Sequence, residues 1–194
     1  MSVAVLLIAV ILAHPPNSGA YGGGPVKAVL AGFDPTEGKV FYWLYAYDES
    51  GDPPQAFYFD LCGETPAKPI RAGSLEQPPG PQRSSEASER WKRLSDRLVP
   101  LRPLADFEMA FSVVSDSTGT DPTHGVTRYS LDIHVKAKTM TRDIQVTGYC
   151  RPVARIHGLY AVPGRTELIA VLSYIGRAYG CEEVDVPFVF EPSR

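Results

Sequence analysis

The chain has 194 residues, a formal net charge of −3 from 19 basic and 22 acidic side chains, and 44% hydrophobic residues. That length and apolar content suit a single domain that buries its own core without a metal clip, and they exclude an intrinsically disordered chain. Lys and Arg are nowhere concentrated into a stripe, and phosphate binding depends on such clustering, so a nucleic-acid partner is excluded too.

Val3 to Ala13 is an unbroken apolar run, followed by His14-Pro15-Pro16-Asn17 and then Ser18-Gly19-Ala20. The run is too short to cross a bilayer as a helix, and small residues follow it, which is the layout of an export signal over residues 1–20. Cleavage is expected before Tyr21, giving an extracytoplasmic product, periplasmic or secreted, with no stable membrane span. No Lys or Arg precedes the run, which departs from the usual pattern; an N-terminal anchor and a buried strand or helix are the competing expectations. No Cys follows it, so lipid anchoring is not expected.

Three cysteines, Cys62, Cys150 and Cys181, cannot all pair within one chain. In an exported protein one disulfide and one free thiol is the simplest arrangement, and Cys150 with Cys181, both at strand ends in a strand-dense region, is the expected pair. Three unpaired buried thiols is the alternative.

From residue 26 the pattern turns to short strands. Val26–Phe33, Lys39–Tyr47 and Ala56–Leu61 are apolar, aromatic-rich runs, each ending in a cluster of Asp, Pro and Gly, and together they predict a first antiparallel meander over 26–61. In the second strand Val40, Tyr42, Leu44 and Ala46 fall on one face and Phe41, Trp43, Tyr45 and Tyr47 on the other. Both faces being apolar, the strand is expected to be central. Residues 63–82 carry five prolines and read as an extended linker. Over 84–99 one amphipathic helix is expected, with Ser84 or Ser85 as cap, Ala87, Trp91, Leu94 and Leu98 on one face, and Pro100 and Pro103 ending it.

The half from 107 to 190 is strand-rich. Val126–Ala137 alternates Tyr129, Leu131, Ile133 and Val135 inward with Arg128, Ser130, Asp132, His134 and Lys136 outward, the signature of a sheet with one wet face. Met140–Tyr149 repeats it, and Phe107–Val114 is expected to pair alongside, with Ser115–Gly125 as loop. Ile156–Val162, Glu167–Ile175 and Val184–Phe190 then echo the order and spacing of the first meander. The fold class is therefore mainly β, a single β-rich domain over 21–194 built of antiparallel meanders, propeller-blade-like or sandwich-like, with one helix.

Gly32-Phe33-Asp34-Pro35 to Gly38, the aromatic strand after it and Phe57-Tyr58-Phe59-Asp60-Leu61 resemble the hairpin of TolB-type propeller blades, although Thr36 stands where a typical blade has Asp. The Pro-rich arm and the Ser/Glu/Arg helix that follow are similar in layout to a bacterial family of secreted proteins. The resemblance covers Val26 to Leu104 and implies an extracytoplasmic β protein; it carries over no catalytic residue.

No Gly-x-Ser-x-Gly elbow, Ser-x-x-Lys pair, phosphate loop or His-Glu-x-x-His stretch occurs. Cys150 and His157 are a conceivable thiolate pair, although a structural role fits their spacing better. Asp48, Ser50 and Asp52 alternate as calcium-loop ligands do, but Pro53 and Phe59 occupy places where such a loop needs Gly and Glu. His124, His134 and His157 lack zinc spacing. Glu182, Glu183 and Asp185 read as an exposed acidic loop. No catalytic residue, metal or cofactor is thus assigned. The aromatic row serves either the core or a stacking platform for a protein, peptide or glycan, and in the second case Trp43, Tyr45 and Tyr47 are the binding residues. An exported, non-enzymatic binding or scaffolding protein of the cell envelope is the functional expectation; a small exported hydrolase using loop carboxylates such as Asp48, Asp52, Glu182 and Asp185 is the alternative.

Overall fold

The computed structural model describes residues 24–47, 54–64, 68–73, 85–137 and 140–190. The elements run β1 (Val26–Asp34), β2 (Lys39–Ala46), β3 (Gln55–Asp60), β4 (Ile70–Arg71), α1 (Ser85–Ser95), β5 (Arg102–Pro103), β6 (Glu108–Thr120), β7 (Thr127–Ala137), β8 (Met140–Tyr149), β9 (Ala154–Ala161), β10 (Leu168–Arg177) and β11 (Glu182–Phe190). They form an eight-stranded sheet of order β4-β3-β2-β1-β11-β10-β9-β5 and a three-stranded sheet β6-β7-β8. The protein is mainly β, made of antiparallel meanders with one α-helix among the described residues, and neither sheet closes into a barrel.

The large sheet joins two meanders, β1-β2-β3 and β9-β10-β11, through one parallel contact, Val26 opposite Val184. Across the sheet each meander reads third, second, first strand, and β1 and β11 point the same way. The two units thus share strand order and direction, as their similar sequence layout suggests.

Three apolar clusters follow from strand alternation. Leu131, Ile133 and Val135 on β7 and Ile144 and Val146 on β8 pack against Leu168, Ala170, Leu172 and Tyr174 on β10 and Phe188 and Phe190 on β11. The small sheet thereby covers one face of the second meander. On the other face Ile169 and Val189 meet Phe33, Val40, Tyr42 and Phe59. Burial holds the Tyr42 phenol well above its ordinary pKa and pushes that of Tyr174 up to about 12.

The turn between β1 and β2 is built by its own residues. Asp34, fully buried, accepts hydrogen bonds from the amides of Thr36 (2.9 Å) and Glu37 (3.4 Å). Its other oxygen lies 2.8 Å from Arg97 Nη2 without the alignment of a hydrogen bond, so that contact is electrostatic; the same nitrogen donates to Glu37 Oε1 at 3.0 Å. Gly38 closes the turn at φ 67°, where a Cβ would run into the Cys62 sulfur.

Several boundaries differ from expectation. The helix spans Ser85–Ser95, three residues short of Leu98, because a turn over Asp96 and Arg97 delivers the chain to Val99; Ser84 lies outside the described residues. Trp91 and Leu94 do face inward. Within the linker Ile70 and Arg71 pair with β3. β6 runs on to Thr120 through a register shift between Val114 and Gly119, so much of the expected 115–125 loop is strand.

Candidate functional site

The aromatic row grades from core to surface along β2. Trp43 is only 4% exposed and meets Trp91 of α1 edge to face, ring centroids 4.9 Å apart. It is a core residue, and no open stacking platform includes it. Phe41 packs on Tyr58 at 5.5 Å. Tyr45 is half-buried and stacks on Tyr47 at 6.3 Å, and Tyr47 is 59% exposed. Burial first, and the neighbouring Tyr47 second, raise the pKa of Tyr45. Beside them on β1, opposite Trp43, Val29 is 48% exposed. Of the expected binding residues, Tyr45 and Tyr47 thus reach an exposed apolar surface.

Val29 also lines a cleft of about 320 Å³ whose wall is β1 from Ala28 to Gly32 and whose other sides are Pro100, Leu101, His157, Tyr160 and Val171. Its origin lies in how β1 leaves β11. Pro187 interrupts the ladder because it has no N–H to donate, and a proline inside a strand needs an unpaired neighbour edge. Asp185 replaces the next bond: its carboxylate accepts the Ala28 amide at 3.2 Å and the Ser173 hydroxyl at 2.5 Å. Ser173 and Asp185 are both buried, with Lys27 Nζ 3.8 Å from Asp185 and 3.3 Å from Glu183, which Arg155 also reaches at 2.9 Å. Beyond this polar seam β1 lifts toward the face of the second meander that carries Val171.

The far end of the cleft is tied by residues 99–104. Phe33 and Val99 exchange two backbone bonds (2.9 and 2.8 Å), Arg102 and Pro103 pair with β9, and the Leu104 amide donates to Leu159 at 2.8 Å. Gly32 passes the Val99 carbonyl at φ 144°, where a Cβ would stand 3.0 Å from that oxygen. His157 is the extra residue of a bulge on β9, between Ile156 and Gly158 in the ladder to β10.

Cys150 and Cys181 are joined, 31 residues apart, fastening the end of β8 to the turn before β11 and hence the small sheet to the large one. This confirms the expected pair and removes Cys150 as a thiolate partner for His157. Cys62 is free and exposed. Arg165 Nη2 donates to the Leu61 carbonyl at 2.8 Å and to Glu167 at 2.9 Å, linking the two meanders. Burial raises the Glu167 pKa, but bonds from Arg165 and from the backbone, with the Arg165 charge, outweigh it and leave it below the ordinary value. A carboxyl depressed in the folded state stabilises above its unfolded pKa and loses that contribution as pH falls through its folded pKa. Urea midpoints should therefore drop on acidification below about pH 4.5, and Glu167→Gln should flatten that slope.

The acidic group at 182–185 is not an exposed loop. It belongs to β11, with Glu182 4.0 Å from Arg177 and Asp185 buried. Three residues apart on one strand, Glu182 and Asp185 leave opposite faces, so their carboxylates do not converge. Asp48, Ser50 and Asp52 lie outside the described residues, among which no cluster of His, Cys, Asp or Glu has metal-binding geometry and no helix is long and apolar enough to cross a membrane. The buried Ser173–Asp185 pair and the open edge of β1 escaped the sequence reading; Pro187 inside a strand was their one local signal. Compared with known proteins, the chain matches no family model, no curated protein and no solved structure.

Proposed function

We propose that this is an exported, non-enzymatic β protein that binds a peptide, protein or glycan component of the cell envelope. The observation that carries the binding role is the surface formed by Val29, the half-buried Tyr45 and the exposed Tyr47, with Val29 also lining the cleft that opens on the side of β1 away from β2. Export is supported by the Cys150–Cys181 bridge, a covalent staple characteristic of oxidising compartments, and by the apolar leader in the sequence. The likeness of residues 26–104 to secreted β proteins points the same way.

Co-sedimentation with envelope fragments from cells lacking the protein tests the proposal. Wild type should pellet saturably, and Tyr47→Ala should pellet at least about tenfold more weakly, a change of about 1.4 kcal/mol, at unchanged thermal stability. Equal pelleting of the two proteins, or none by wild type, would contradict it.

A further inference from the structure

We infer that the cleft takes an extended peptide segment, which adds as a short strand to the open edge of β1. This deepens the binding role proposed above by naming the ligand class. The edge in question is the side of β1 turned away from β2. Its identity follows from register: the Tyr47 amide donates to the Pro25 carbonyl at 3.0 Å, so Pro25, Lys27 and Val29 direct their backbone polar groups at β2, and Val26, Ala28 and Leu30 direct theirs away. The same edge is occupied at both ends. Val26 pairs with Val184 at one end and Phe33 bonds Val99 at the other. Between them the Ala28 amide is taken by Asp185, and among the described residues nothing bonds the Ala28 carbonyl or the Leu30 amide and carbonyl.

Ala28 and Leu30 both line the cleft. A main-chain amide or carbonyl left without a partner in a recess costs free energy, and an incoming strand satisfies all three at once. Side chains of such a strand alternate. One set would meet Val171 and Leu101, which are apolar; the polar atoms within reach are the Tyr160 hydroxyl and the His157 ring. The preferred segment therefore alternates apolar with small or polar residues and contains no proline opposite Leu30. A glycan lacks the regular amide spacing that the Ala28–Leu30 edge offers, so a peptide is favoured.

The purified protein should be screened against short peptides in which Val, Ile, Leu or Phe alternates with Thr or Lys, and the tightest binder remade with N-methyl groups on one strand edge or on the other. One methylated version should bind about tenfold or more weakly while the other is unaffected, and hydrogen exchange at the Leu30 amide should slow about tenfold on binding. Leu30→Pro, which deletes a donor the β1–β2 ladder does not use, should lose the peptide; His157→Trp, which fills the cleft from its exposed rim, should do so where the proline variant misfolds. Equal binding of both methylated peptides, unchanged Leu30 exchange, or no peptide binding at all would overturn strand addition. If envelope co-sedimentation persists in that last case, the binding role stands and only the peptide assignment falls.

Discussion

Replacing Trp43 with alanine is expected to destabilise the protein by about 3–5 kcal/mol, the range for deleting a large aromatic from a packed core. Trp43 sits where the first meander meets the helix: its ring is covered by Trp91, and Ala56 and Ala72, with the half-buried Ala31, Tyr45 and Tyr58, complete the cluster. Removing it leaves a cavity that the strands cannot close, because β2 is held on both sides by β1 and β3. Trp91→Ala should cost less, since that ring is half-buried and its helix can shift. Tyr47→Ala should stay within about 0.5 kcal/mol, the usual span for an exposed side chain. Urea titrations of the three variants check the ranking. A Trp43→Ala protein as stable as wild type would mean that the indole is not part of the core.

Opening the disulfide should come next in size. Cys150 and Cys181 close a loop across a separation of 31 residues, for which the chain-entropy relation gives about 3–4 kcal/mol. For a chain of this length that corresponds to a fall in melting temperature of roughly 6–16 °C. The bridge fastens β8 to the loop between β10 and β11, and both half-cystines have left-handed backbones, φ 61° and 54°, at tight turns. The Cys150→Ser/Cys181→Ser protein should melt lower by that amount and become insensitive to reductant. Wild type should fall to the same temperature when reduced, whereas Cys62→Ser should leave the melting temperature almost unchanged.

Local pattern made part of this architecture legible. The β7–β8 hairpin was readable because one of its faces is wet: Leu131, Ile133 and Val135 are buried while Asp132, His134 and Lys136 are exposed, and period-two alternation records that directly. The strands of the first meander were readable from the turn chemistry of Asp34 to Gly38. The disulfide followed from strand ends and cysteine number. What could not be read depends on pairing between distant segments. Glu182–Glu183 resembles a loop in sequence, yet it is held in strand by Arg177 and Ile175 across the ladder. Asp185 looks like a surface acid and is instead buried, because Ser173 of β10 and the Ala28 amide and Lys27 of β1 come to it from two other strands.

Trp43 carried no local sign of which neighbour would cover it, since an aromatic row serves a core and a binding face equally well until Trp91 is placed above it. The cleft is the clearest case of long-range control. Pro187 marks where β11 stops pairing with β1, but only the position of Val99 against Phe33 shows that β1 is held off at its other end as well.

The most direct measurement is mass spectrometry of the chain recovered from outside the cytosol, alkylated before and after reduction. The expected product starts at Tyr21, with Cys62 alone alkylated until reductant is added, after which Cys150 and Cys181 are alkylated too. An intact leader on a cytosolic product with all of these thiols alkylated at the outset would contradict both the export and the staple on which the fold and the proposed role depend.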